Sequence, residues 1–187
     1  MIVLVLGAQG SGKTLFLIKE AYATFKKGRD VYSNFKLNFP HKNLRFSDMI
    51  NTRLENCTVL IDEGALWGLN ARESLSRENK KLTVSFISQC RKKGVDLFVS
   101  AQIVRLLDCR VRENASYFIF CEKWVKVDGG WLEAVEGVDY GKVPTVIRQE
   151  IVNMGSEKVK KTFFVANDFF GLYDTSEIIR QQSSDEL

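Results

Sequence analysis

The sequence predicts an α/β chain whose central, mostly parallel sheet is flanked by helices and carries a C-terminal β-hairpin extension. Three observations predict it. Short, almost wholly apolar runs recur along the chain, as strands buried on both faces should read. Helix-like or loop segments separate them, the pattern of a parallel sheet with crossovers. Beyond Gly129 the pattern changes to two alternating runs joined by a turn at Gly155 and Ser156.

The elements follow in order. Ile2 to Leu6 is a fully apolar first strand. Lys13 to Lys26 reads as a helix, with Leu15, Ile18, Tyr22 and Phe25 on one stripe and Lys27-Gly28 as its basic end and stop. Asp30 to Phe35 is a short second strand, and Thr58 to Ile61 a third, ending at Asp62-Glu63-Gly64. "GALWGLNARESLSRENKK" is polar and glycine-rich and reads as a long loop or broken helix. Thr83 to Lys93 is expected to be a helix stopped by Gly94, "VDLFVSAQ" a fourth strand, and "ASYFIFCEKWVKV" a fifth. Residues 144–168 supply the hairpin, and the terminal "SSDEL" is expected to fray.

A chain of 187 residues that is 45% hydrophobic is sized for one substantial core. We therefore expect a single domain over residues 1–187, with a core over about 1–125 and a β-rich extension over about 129–180. No run of about 18 apolar residues is present to span a bilayer, and residues 1–7 lack the basic leader and cleavage site of a signal peptide. Those features point to a cytoplasmic protein without direct membrane insertion. Cys57, Cys90, Cys109 and Cys121 form no CxxC pair and His41 is the single histidine, so the spacing does not suit a zinc site. All four cysteines are expected to be reduced core residues.

The net charge of +4 is uneven. Residues 79–112 hold Lys80, Lys81, Arg91, Lys92, Lys93, Arg105, Arg110 and Arg112 against Asp96 and Asp108, a local +6. Such a window suits either a solvated face or a nucleic-acid footprint.

The chemistry is concentrated near the start. Gly7-Ala8-Gln9-Gly10-Ser11-Gly12-Lys13-Thr14 matches the phosphate-binding P-loop pattern, set between an apolar strand and an amphipathic helix. Its glycines let main-chain N–H groups turn toward phosphate oxygens at a helix N-terminus. Lys13 is then expected to span the β- and γ-phosphates of ATP, and the Thr14 hydroxyl to ligate Mg²⁺. "CTVLIDEG" delivers Asp62 beside Thr14 for the metal, and Glu63 next to it is placed to take a proton from an attacking water. That pair favours hydrolysis over transfer to an organic hydroxyl. Gln102 closes the fourth strand at the ligand-facing end, where it can meet the γ-phosphate. An arginine is also needed to neutralise charge in the transition state. Arg110 and Arg112 are the first candidates, with Arg72, Arg77 and Arg91 also open. Trp67, in the polar loop, is either core or a functional contact.

In order along the chain, "GAQGSGKT", "GRDVYSNF", "TVLIDEG", "SQCRKKGVDLFVSAQ" and "DCRVRENASYFIF" resemble the ATPase domain of the zonula occludens toxin-like proteins of filamentous phages, within the HerA/FtsK group that includes viral genome-packaging ATPases. "FFGLYDTSEII" resembles the closing segment of that group. The resemblance implies a Mg²⁺-dependent ATPase that packages or translocates double-stranded DNA as a homo-oligomeric ring. It implies Lys13 and Thr14 on nucleotide and metal, Asp62 and Glu63 on metal and water, and Gln102 as γ-phosphate sensor. Toxin-like phage proteins continue into a membrane span that this sequence lacks, which favours a soluble viral packaging ATPase. It would work in a host cell with a capsid partner and be associated with assembling virions. The alternatives are an extrusion ATPase working with a membrane-protein partner and, from another class, a small-molecule P-loop kinase in which residues 64–79 form an arginine lid.

Overall fold

The computed structural model describes residues 1–51, 54–70, 85–135, 138, 140 and 143–173. One sheet runs through them in the order β3-β2-β4-β5-β1-β6-β8-β9, with β7 paired to β6 alone. β1 (Ile2–Leu6), β2 (Val31–Ser33), β3 (Lys42–Asn43), β4 (Thr58–Ile61), β5 (Asp96–Ala101) and the first part of β6 (Tyr117–Val127) are parallel. β7 (Gly130–Glu133), β8 (Thr145–Asn153) and β9 (Val159–Val165) are antiparallel. The five apolar runs and the hairpin read from the sequence all fall on strands.

α1 (Lys13–Phe25) follows β1 through the glycine loop. Leu15, Leu17, Ile18 and Ala21 of α1 pack on Val3, Val5, Leu60, Phe98, Cys121 and Ile147. On the other face Ile2, Leu4, Leu6, Val59, Ile61, Leu97 and Val99 pack under Met49 of α2 (Phe46–Asn51), Trp67, Leu69, Ile87 and Val111 of α3 (Cys109–Glu113). Alternate side chains of β1 are thus buried on opposite faces, which is why the strand carries no polar residue. Burying each such aliphatic side chain is worth about 1.5–3 kcal/mol.

Several expectations are corrected. The helix expected over Thr83 to Lys93 is irregular from Ser85 onward, π-helical at 85–86, 3₁₀ over Ile87–Gln89 and then turns to Gly94; residues 83 and 84 lie outside the described residues. It carries three β-branched residues and a Ser-Gln-Cys-Arg stretch with no acidic first turn, and Gly94 (φ +66°) ends it. The polar stretch after Gly64 begins as a tight buried turn: Trp67 N–H and Leu69 N–H donate to Glu63 O (3.2 Å) and Gly64 O (3.0 Å). Trp67 is buried against Phe46, so it belongs to the core. Three cysteines are buried, but Cys109, at the start of α3, is exposed. The expected hairpin is present and extends the main sheet, β8 pairing with β6 over nine residues. No helix among the described residues is long and apolar enough to cross a membrane.

Candidate active site

A parallel sheet gathers its strand ends, and here the ends of β1, β2, β4 and β5 converge. The loop from Gly7 to Gly12 leaves β1 and enters α1. It passes so close to β6 that a Cβ on Gly7 would lie 2.6 Å from Cys121 O and 2.5 Å from Ser11 Oγ. Gly12 has φ +92°, and a Cβ there would lie 2.3 Å from Ile147 Cδ1. Only glycine fits both places. Lys13 is 5% exposed and folds back over the loop, its Nζ donating to Ala8 O at 2.9 Å. The Ser11 hydroxyl is buried and makes no hydrogen bond within the protein. A buried orphan hydroxyl, first-turn amides without helical partners and an ammonium curled on the same loop fit an anionic phosphate.

Across the crevice, Asp62 is 6% exposed and held on three sides. Thr14 Oγ1 donates to its Oδ2 at 2.8 Å, Ser100 Oγ donates to its Oδ1, and its N–H donates to Asn34 Oδ1 at 2.8 Å. Asn34 Nδ2 also donates to Asp62 O at 3.0 Å. One carboxylate beside one hydroxyl is a donor set suited to Mg²⁺, which keeps most of its shell as water and phosphate oxygens. Glu63 takes the left-handed conformation (φ +49°), a cost of order 1–3 kcal/mol for a non-glycine residue. Its N–H donates to Ser100 Oγ at 3.0 Å, and its Oε1 accepts from Gln102 Nε2 at 3.4 Å. The backbone kink turns the Glu63 carboxylate toward Gln102. Nearby, burial and then the negative charge of Asp62 push the Tyr173 phenol up to about 12, so Tyr173 stays neutral.

Gly7 to Thr14, Asp62, Glu63 and Gln102 thus meet at one crevice. Arg110, Arg112 and Arg91 do not join them. Arg110 Nε is paired with Asp108 Oδ1 at 3.2 Å, and Arg112 Nε donates to Leu107 O at 3.2 Å, each within its own turn. Arg91 stands in the turn before β5, at the opposite end of that strand from Gln102; Arg72 and Arg77 lie outside the described residues. The +6 window is likewise divided. Arg91, Lys92 and Lys93 precede β5 and Arg105 follows it.

Two residues were missed. Asn34 and Ser100 read in the sequence as ordinary polar residues at strand ends, and that position, shared with Asp62 and Gln102, was the available signal. A cavity of about 360 Å³ adjoins the loop, lined by Ala8, Gln9, Gly10, Phe120, Glu133 and Val138.

No family model matches this chain. In sequence it is 24% identical over 212 residues to the Gene 1 proteins of Enterobacteria phage I2-2 and Salmonella phage IKe, an alignment covering 95% of this chain and 57% of each relative. The chain therefore spans little more than half the length of the curated relatives it matches. In structure it is similar to the N-terminal domain of zonular occludens toxin from Neisseria meningitidis, with TM-score 0.61, 21% identity, and 92% of this chain and 98% of that one covered. It is also similar to the genome packaging NTPase B204 of Sulfolobus turreted icosahedral virus 2 in complex with ATP-γS, with TM-score 0.53, 14% identity, and 86% and 95% covered. The fold is thus the P-loop NTPase fold shared with the toxin domain and the packaging enzyme, as the motif order implied.

Proposed function

We propose that residues 1–187 act as one Mg²⁺-dependent ATPase domain of a phage or viral DNA-translocating motor. The observation that carries it is Asp62, fixed between Thr14 and Ser100 at the mouth of the glycine loop, with Glu63 bent alongside toward Gln102. Main-chain amides of Gly7 to Thr14 and the Lys13 ammonium bind the triphosphate, and the cavity beside the loop has room for the nucleoside. Thr14 and Asp62 would hold Mg²⁺, which supplies neutralising charge on the β- and γ-phosphates. Glu63 accepts a proton from the attacking water through its carboxylate, while Gln102 holds that carboxylate and faces the γ-phosphate. A ring of copies, an arginine supplied in trans and double-stranded DNA as the cargo complete this reading. The solved packaging NTPase bound to an ATP analogue supports it.

A second reading, DNA extrusion with a membrane-protein partner, is favoured by the sequence likeness to the two phage Gene 1 proteins. Both readings use the same engine and differ in what receives the DNA. Steady-state ATP hydrolysis with and without duplex DNA tests that engine. Lys13→Ala abolishes turnover, and Glu63→Gln retains ATP binding but loses about 10²–10⁴-fold in rate. Normal hydrolysis by either variant, or no stimulation of the wild type by DNA at low salt, overturns the motor. Robust phosphate transfer to a nucleoside or nucleotide would instead establish a kinase.

A further inference from the structure

At the sheet edge, next to Asp62, the structure holds a second cavity of about 540 Å³. Ser33, Asn34, Lys36, His41, Leu44 and Arg45 are among its lining residues, and no carboxylate is among the described residues that line it. Among the described lining residues the charged side chains are the cations Lys36 and Arg45. We propose that this groove seats the phosphodiester backbone of DNA and that Asn34 couples its occupancy to the metal site; the proposal rests on the motor reading given above.

The groove is built. Between β2 and β3 the chain buries Phe35, Leu37 and Phe39 and so turns Lys36 and Asn38 outward. That segment is clamped from the far end of the sequence: Asn38 N–H donates to Leu172 O at 2.8 Å, Asn38 Nδ2 donates to Gly171 O at 3.0 Å, and Leu37 bridges Tyr173. His41 Nδ1–H donates to Phe39 O at 2.9 Å, fixing the ring, and Leu44 N–H donates to Ser33 O at 2.8 Å. The two acids nearest in sequence are both engaged, Asp30 Oδ2 with Lys42 Nζ at 2.8 Å and Asp48 Oδ2 with the Arg45 N–H at 2.9 Å, at the start of α2. Two exposed long cations and an imidazole on a braced frame suit a polyanion, because Lys and Arg contacts to phosphate release counterions.

Position adds the second part. Asn34 lines the groove, and its amide bonds both the N–H and the C=O of Asp62. A phosphate drawn against Lys36 and Arg45 loads the β2 end that carries Asn34, and Asn34 passes that load to the residue expected to hold Mg²⁺. DNA in the groove thereby reinforces, through Asn34, the placement of Asp62 that Thr14 and Ser100 already hold.

The test measures duplex DNA affinity by fluorescence anisotropy across a salt series, with AMP and inorganic phosphate as competing probes. Lys36→Ala/Arg45→Ala is expected to weaken DNA binding at least about tenfold at low salt and to make the slope of log affinity against log salt shallower by about 2, while Lys36→Arg/Arg45→Lys restores both. In the wild-type protein, DNA protects Lys36 from amine acetylation, a readout that does not depend on any variant folding. Asn34→Ala lowers hydrolysis both with and without DNA, and the ratio of the DNA-stimulated rate to the basal rate falls toward one. Unchanged affinity and slope in the double variant, with Lys36 modified equally in the presence of DNA, overturn the groove while DNA-stimulated hydrolysis by the wild type leaves the motor standing. A wild type that hydrolyses ATP without responding to DNA ends both, and AMP competing at micromolar concentration makes the groove a mononucleotide site and ends the DNA assignment.

Discussion

Ser100→Ala is the most informative single change in the crevice. The Ser100 hydroxyl is fully buried and serves two neighbours at once, donating to Asp62 Oδ1 and accepting from Glu63 N–H at 3.0 Å. Removing it takes a hydrogen bond from a carboxylate, worth about 1.5–3 kcal/mol, and leaves the Glu63 amide without that acceptor at a cost of about 1–3 kcal/mol. The first loss frees Asp62 to rotate about its remaining bond from Thr14, so its charge is no longer aimed at the metal. At 1.4 kcal/mol per tenfold, the half-saturating Mg²⁺ concentration for ATP hydrolysis should rise by about ten- to a hundredfold. The second loss acts on the strained φ of Glu63 and should lower kcat even at saturating Mg²⁺. Folding stability, measured by urea unfolding, should fall by about 2–4 kcal/mol because the two costs share one hydroxyl. A Ser100→Ala protein with wild-type Mg²⁺ dependence and kcat would refute the assignment of Asp62 to the metal and of Ser100 as the group that positions both acids.

Other consequences are equally direct. Burial pushes the thiols of Cys57, Cys90 and Cys121 up to about 11, 12 and 12, whereas Cys109 is exposed; a maleimide should label one thiol per native chain, at Cys109, and all four only after unfolding, as intact mass would show. Burial pushes the Asp96 carboxyl up, but hydrogen bonds from Arg29 (2.8 Å) and the chain amino group (3.0 Å) outweigh it and hold it below the usual carboxylate range. Its stabilisation is therefore present above about pH 4 and lost as pH falls through the lower folded value. Asp96→Asn should cost about 1 kcal/mol at pH 7 and flatten the acid limb of the unfolding midpoint against pH, and an unchanged limb would refute the pairing.

The parallel part of the fold was legible because burial on both faces leaves a signature a reader can see: "IVLVL", "TVLI" and "DLFVS" each match a strand. The glycine loop, Asp62, Glu63 and Gln102 were legible for a second reason, since phosphate chemistry restricts residue types at fixed spacing. What escaped notice depends on tertiary neighbours. β3 and β7 are short and exposed, α3 is one turn and a half, and none has a periodicity to read. Ser100 and Asn34 matter only because β5 and β2 flank β4, an adjacency that strand order along the chain does not state. The basic window failed as a patch for the complementary reason: residues close in sequence on either side of β5 emerge at opposite ends of the sheet.

The β-rich extension after the core is tied to the phosphate loop by packing. Ile147 on β8 is fully buried, and it abuts Gly12, the residue that starts α1 and closes the phosphate loop. Gly7 at the other end of the loop is pressed on the Cys121 carbonyl of β6, the strand that β8 pairs with. The loop is therefore shaped on one side by residues that the P-loop motif does not contain, and the antiparallel strands are part of the phosphate site's scaffold. Gly12→Ala separates the two contributions. Placing a non-glycine at φ +92° costs about 1–2 kcal/mol, and forcing a methyl to within 2.3 Å of Ile147 Cδ1 adds about 1–3 kcal/mol of overpacking. Ile147→Ala alone costs about 2–5 kcal/mol. Combined, the changes should cost less than their sum by about 1 kcal/mol or more, since the cavity left by Ile147 admits the new methyl, and the backbone part alone should remain. ATP affinity should follow the same cycle. Strict additivity in both unfolding and nucleotide binding would mean that β8 does not support the loop.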